Sequence, residues 1–189
     1  MQKLKELLIP AIALFVICFV SAFLLAGTNS LTENRIKENN EKQKIESRKI
    51  AFASAKEFKE DGNIEIDGKK VEYCVAFDEA GNKIGYVFTS QNKGYGGDVS
   101  VMTAIDSEGT VLKSVVLKMD DETPGLGQNA GKEDFLKQFS GKKGLFSWVK
   151  AGGKDNEITG VTSATFTSKA VIECVNDALK AFNELGGIK

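Results

Sequence analysis

The stretch Val71–Ser90, "VEYCVAFDEAGNKIGYVFTS", decides how this chain folds. Two runs rich in β-branched and aromatic residues, VEYCVAF and IGYVFTS, flank the polar turn-forming segment DEAGNK. That pattern reads as a β-hairpin. A second hairpin follows from Asp98 to Met119, where DVSVMTAID and VLKSVVLKM flank SEGT. FDEAGNKIGYVF and IDSEGTVLKSVV resemble each other, a weak repeat that shared turn chemistry is enough to produce. KEDFLKQF (Lys132–Phe139) reads as a short helix and LFSWVK (Leu145–Lys150) as one more strand. From about Ser168 to Leu185 the apolar residues Val171, Val175, Ala178, Phe182 and Leu185 fall on one helical face. Gly186 and Gly187 then end the helix. Strands followed by helices packed on one side define an α+β domain.

Upstream of the first hairpin the character changes. Leu7–Gly27 contains no charged residue, and about 20 apolar residues suffice for a helix to cross a bilayer core. Lys3 and Lys5 precede it and place the N-terminus in the cytoplasm by the positive-inside rule. The apolar run is longer than that of a signal peptide, so it reads as a retained anchor and not as a cleaved leader. Leu31 to about Lys59 is rich in Glu, Lys, Asn and Gln, with apolar residues at Leu31, Ile36, Ile45, Ile50, Phe52, Ala53 and Phe58. It reads as a helical stalk broken by the segment EDGN. The expected order is therefore a cytoplasmic N-terminus (1–6), a transmembrane helix (7–27), a helical stalk (28–60) and an extracytoplasmic domain (61–189). The location is the cell (inner) membrane, with a single pass in contact with membrane lipid.

Composition excludes several functions. Twenty-five basic residues against 26 acidic give a net charge of −1, without the basic footprint of a nucleic-acid binder. There is no histidine, and the three cysteines, Cys18, Cys74 and Cys174, are scattered. That removes nearly every route to a zinc, haem or iron–sulfur site, so no metal ligand is assigned. Cys18 lies mid-span as an apolar residue. Cys74 and Cys174 read as buried thiols on a strand and a helix, with a disulfide left open by an extracytoplasmic location. Redox work by this chain would need an agent other than a metal.

Three loops carry more than connections require. KGYGGDV (Lys93–Val99) joins two strands and DDETPGLGQ (Asp120–Gln128) holds a Pro-Gly turn. Neither is a phosphate loop of the nucleotide-binding type. The third is VTSATFTS, Val161–Ser168, five of whose eight residues bear hydroxyls at the entrance of the last helix. Capping needs one. A helix N-terminus offers unpaired N–H groups and the positive end of a dipole, a seat for phosphate. A threonine hydroxyl there can also be esterified by phosphate, which would hold a cofactor without histidine or cysteine.

TSATFTS resembles the [ST]-G-A-T-x-[ST]-S signature of the FMN-binding domain in the G subunit of the Rnf electron-transport complex. The same domain occurs in the C subunit of the Na+-translocating NADH:quinone oxidoreductase. The resemblance spans nearly the whole chain: one N-terminal span, GYGG before a strand, ETPGLG after another, and the terminal motif. It implies FMN joined through its phosphate to Thr165, with Thr162, Ser163 and Ala164 beside the attachment point. It also places Glu122, Thr123, Leu126, Gly127, Tyr95 and Gly96 against the cofactor. Two positions depart from the pattern: Ser163 stands for the usual glycine and Thr159 for the usual aspartate. Ser163 fits if its backbone is not left-handed, and Asp155 or Glu157 could supply the carboxylate.

The implied function is a membrane-anchored electron carrier of an ion-translocating ferredoxin:NAD+ oxidoreductase, with no catalytic acid or base of its own. Its partners would be other membrane and iron–sulfur or flavin subunits, and a flavin transferase for maturation. The alternatives are the C subunit of the quinone reductase, a free-standing flavin reductase, and a non-redox extracytoplasmic scaffold.

Overall fold

The computed structural model describes residues 2–187, with side chains from Leu8 onward. Lys3 and Lys5, and the orientation drawn from them, therefore lie outside the described side chains. The chain divides into two compact units, Met1–Gln43 and Lys44–Lys189.

The first unit is one helix. Helix α1 runs Gln2–Ala51, its last turns belonging to the second unit. Among the described residues it is the one helix long and apolar enough to cross a membrane. Beyond the apolar run its exposed surface is braced by Lys37–Glu33 (2.6 Å) and Lys42–Glu38 (2.8 Å). Both pairs have glutamate four residues before lysine, the favourable order on a helix.

The second unit opens where the stalk was expected to continue. The helix stops at Ala51, and Glu57–Ile66 is strand β1, so a helix through residue 60 is corrected. Phe52, 2% exposed, drops into a core and turns the chain out of the helix. The EDGN segment is a bulge within β1, where the register shifts between Lys59 and Gly62 and Glu60 takes φ 57°. β1 turns into β2 (Lys69–Phe77) through Asp67 and Gly68, both at positive φ, the dipeptide that a two-residue hairpin favours.

β3 (Lys83–Lys93), β4 (Asp98–Asp106) and β5 (Val111–Lys118) complete a five-stranded antiparallel sheet in sequence order. Both expected hairpins are present, and their likeness has a physical basis. Asp78 Oδ1 accepts N–H bonds from Ala80 and Asn82, and Asp106 Oδ1 accepts the same bonds from Glu108 and Thr110. Gly81 and Gly109 occupy the positive-φ position in each. The two turns are one device used twice.

The short helix is α2 (Glu133–Leu136), and Ser147–Val149 is β6, paired in parallel with β7 (Glu157–Thr159). The last helix, α3, runs Thr165–Glu184 and packs mainly on β3 and β4. It ends in paired bonds, Gly186 N–H to Asn183 O and Gly187 N–H to Phe182 O, with both glycines at positive φ.

Strand alternation gives the sheet two buried faces. Val71, Val75, Tyr86, Phe88, Val99, Val101 and Ile105 face α3 and form the main core. Cys74, Ala76, Val87, Met102 and Ala104 face the other way and pack with Ala51 and Phe52. The face away from α3 is not bare: Ala51 at the end of α1 and Phe52 just after it pack against its centre. Cys74 and Cys174 fall in different cores on opposite faces, and both are free thiols. The sheet itself keeps them from bridging. Burial pushes each thiol up to about 11.

Candidate functional site

The three singled-out loops meet at the start of α3. The residue that joins them is Glu122, 2% exposed and without a cationic partner among the described residues. Its Oε1 accepts the N–H groups of Tyr95 (2.8 Å) and Gly96 (3.0 Å), and its Oε2 accepts the Thr167 hydroxyl (2.6 Å). Three charge-assisted hydrogen bonds compensate for the buried charge. Glycines make the approach possible: a Cβ on Gly127 would meet Glu122 Oε2 at 2.6 Å and Thr167 Oγ1 at 3.1 Å. Thr123-Pro124-Gly125-Leu126 is a tight turn, Leu126 N–H bonding Thr123 O with Gly125 at φ 76°. Proline second and glycine third are what a type II turn requires.

The five hydroxyls divide the work. Thr167 bonds Glu122, and Ser168 accepts the Val161 N–H at 3.0 Å, holding the approach to the helix. Thr162 and Ser163 are exposed. Ser163 stands at φ 61°, so the condition under which serine replaces the glycine without strain is not met. The turn Val161–Ala164, closed by the Ala164 N–H to Val161 O, needs a left-handed residue at that place. Ala164 is the cap residue and no side chain caps the helix. Thr165 is the first helical residue, half-buried, and its hydroxyl makes no hydrogen bond among the described residues. The first N–H groups of α3 therefore face outward with no carboxylate or hydroxyl cap in front of them.

A cavity of about 440 Å³ opens there, a size suited to a small-molecule ligand. It is lined by Thr165, Ser163, Ala164, Glu122, Thr123, Leu126, Gly127 and Tyr95, all expected from sequence, and by Phe166 and Thr167. Thr162 and Gly96 do not line it. Gly96 instead serves the Glu122 clasp, and a Cβ there would meet Asp121 O. Phe166 and Thr167 carried one usable signal, their place in the first turn of an uncapped helix. Thr159, which replaces the usual aspartate, accepts the Gly153 N–H at 3.2 Å through its hydroxyl. Glu157 receives the Lys154 N–H, and neither Asp155 nor Glu157 lines the cavity.

The residues fit a phosphate-bearing aromatic ligand: helix N–H groups and a free hydroxyl at one end, Tyr95, Leu126 and Phe166 at the other. Fold and pocket together define an FMN-binding domain, and that family matches residues 94–180. The fold is also that of NqrC from Shewanella oneidensis (TM-score 0.54, 20% identity, 70% of each chain covered). It is shared with the C subunit of the Na(+)-translocating NADH-quinone reductase from Parabacteroides distasonis (TM-score 0.54, 21% identity, 67% of this chain and 77% of that one).

The family described as RnfG N-terminal region matches residues 1–48. The chain is 31% identical over 178 residues to the G subunit of the proton-translocating ferredoxin:NAD(+) oxidoreductase complex of Clostridium ljungdahlii, covering 93% of this chain and 91% of that protein. It is 33% identical over 187 residues to the G subunit of the Na(+)-translocating ferredoxin:NAD(+) oxidoreductase complex of Acetobacterium woodii, covering 91% and 89%. The G subunit of the ion-translocating oxidoreductase complex of Methanosarcina acetivorans is 29% identical over 183 residues, covering 95% and 96%. The chain belongs to the RnfG family, the G subunits of the Rnf-type ion-translocating oxidoreductase complexes.

Proposed function

We infer that this chain is the FMN-carrying electron-relay subunit of an ion-translocating ferredoxin:NAD+ oxidoreductase, with FMN esterified through its phosphate to Thr165. The supporting observation is the Thr165 hydroxyl, unpaired and half-buried at the uncapped N-terminus of α3, inside the cavity. Helix N–H groups and the dipole offset the phosphate charge there. Glu122 also lines the cavity, and the three hydrogen bonds its carboxylate accepts offset part of its charge beside the phosphate. Bound FMN supplies reversible electron uptake by its ring; the protein supplies its position.

Thr167 is held by Glu122 and Thr162 lies outside the cavity, which favours Thr165 over either neighbour as the attachment point. The segment 7–27 spans the cell membrane, the N-terminus is cytoplasmic and the flavin domain is extracytoplasmic. A flavin transferase loads the cofactor, and the other subunits of the complex exchange electrons with it. The match at residues 1–48 favours this family over the C subunit of the quinone reductase. An ester bond would retain the flavin outside the cytoplasm, where free FMN is not replenished.

Intact mass tests the reading. The chain expressed with its flavin transferase carries one FMN, and the Thr165→Ala variant carries none. The variant's stability stays within about 0.5 kcal/mol of the wild type, since Thr165 caps nothing. An adduct that persists in the variant refutes the assignment.

A further inference from the structure

The two edges of the five-stranded sheet differ in character. β1 is bulged and carries the exposed charges of Glu57, Lys59, Glu60 and Asp61, devices that keep other strands away. β5 is plainer: Lys113–Val116 pairs regularly with β4, and Lys113 is the one charged residue from Leu112 to Leu117. A further strand begins beside it and stops. Val111 N–H bonds Lys142 O (2.9 Å), Gly141 N–H bonds Val111 O (2.8 Å), and Thr110 bridges Lys143 in antiparallel sense. Antiparallel continuation would set the residues before Gly141 opposite Lys113–Val116, but Lys137–Ser140 instead follows α2 in turns. Leu112–Val116 therefore hydrogen-bond through their backbones to β4 alone among the described residues. A groove of about 380 Å³ follows that edge, and all five of these consecutive residues line it. Successive strand side chains point to opposite faces, so a groove that touches all five runs along the backbone edge and not over one face.

We propose that this edge accepts an added strand from another subunit of the complex, an extended segment with apolar side chains and a carboxylate for Lys113. In such docking the main-chain bonds give affinity and the flanking side chains choose the partner. Ile50 and Leu112, 54% and 36% exposed, and Leu136 of α2 supply the apolar walls. The charge of the groove is positive. Lys113 lines it and Lys142 stands at its closed end, each without a carboxylate partner among the described residues. The carboxylate that lines it, Glu133, is already answered: Lys137 is held above its ordinary pKa by Asp134 first and by Glu133 as well. A second copy of β5 fits poorly, since Val111–Lys118 brings two lysines and no acidic residue to the edge. The proposal rests on the chain's place in a complex and not on the flavin.

The test uses the complex itself, purified from membranes through a tag on the full-length chain. Hydrogen–deuterium exchange of residues 112–116 is read by mass spectrometry in the complex and in the isolated full-length chain in detergent. The expected result is exchange about tenfold slower in the complex, the scale of a gained backbone hydrogen bond. With benzoylphenylalanine in place of Leu112, light is expected to join this chain to a segment of another subunit in which apolar and acidic residues alternate. Lys113→Glu changes an exposed side chain, so the isolated variant is expected to keep its melting curve while most of the slowing in the complex is lost. Equal exchange in complex and isolated chain overturns the proposal, as does a chain that purifies without other subunits. A crosslink confined to a second copy, to lipid or to detergent overturns it too. Slowing unchanged in Lys113→Glu overturns the acidic partner. The flavin adduct, read by intact mass on the same samples, tests the attachment reading separately.

Discussion

Replacing Glu122 by alanine is expected to destabilise the Lys44–Lys189 unit by about 3–5 kcal/mol, and the figure follows from what each lost bond leaves behind. Thr167 is 1% exposed, so its hydroxyl is stranded without water, a loss of about 1–3 kcal/mol. The N–H groups of Tyr95 and Gly96 lie on a loop and rehydrate, each losing about 1 kcal/mol net. Glu122→Gln is the informative partner variant. Its amide oxygen still accepts the two N–H groups and its amide nitrogen can donate to Thr167, so a loss of about 1 kcal/mol is expected. Guanidinium denaturation of the full-length chain in detergent, followed through the single tryptophan, Trp148, measures both. A Glu122→Ala variant within about 0.5 kcal/mol of wild type, the size of a neutral surface change, would refute the clasp. Equal losses for Ala and Gln would show that charge, not bond geometry, holds the three loops.

Two further outcomes follow from the same structure. Ser163 at φ 61° carries left-handed strain of about 1–2 kcal/mol, partly offset in a glycine variant by unfolded-chain entropy. Ser163→Gly is therefore expected to raise stability by about 0.5–1 kcal/mol in the same denaturation assay. Cys74 and Cys174, pushed up to about 11 from 9.0, stay protonated when folded and ionise first in the unfolded chain. Their stabilising contribution is full below pH 9 and is lost as pH rises toward 11. Denaturation midpoints measured across that window should fall, and the fall should shrink in Cys74→Ala. Native protein at pH 8 should resist thiol alkylation at both sites until unfolded.

Much of this architecture was legible because its signals are local. The hairpins at Asp78–Asn82 and Asp106–Thr110 announce themselves through an aspartate and a glycine at fixed spacing, and α3 through its apolar face. β1 is hard to see in the sequence, although Asp67-Gly68 is a turn signal. Its charged, bulged outer-strand sequence lacks a clean alternation, and its strand state comes from pairing with β2. The end of α1 is hidden in the sequence for a related reason: Phe52 leaves the helix to fill a core that only the far face of the sheet supplies.

By itself the sequence determined the apolar N-terminal helix, the strand–turn rhythm, and the cluster of hydroxyls at one helix start, since each depends on neighbours in the chain. Tertiary structure alone decided which hydroxyl remains free. Thr167 and Ser168 are taken by Glu122 and Val161 N–H, while Thr165 is left facing a cavity. Glu122 lies 45 residues from Thr167, and a hydrogen bond at that separation leaves no trace in local pattern. The separation of the two buried thiols was decided the same way: alternation puts a strand residue on one face or the other, and the packed elements determine what each face meets.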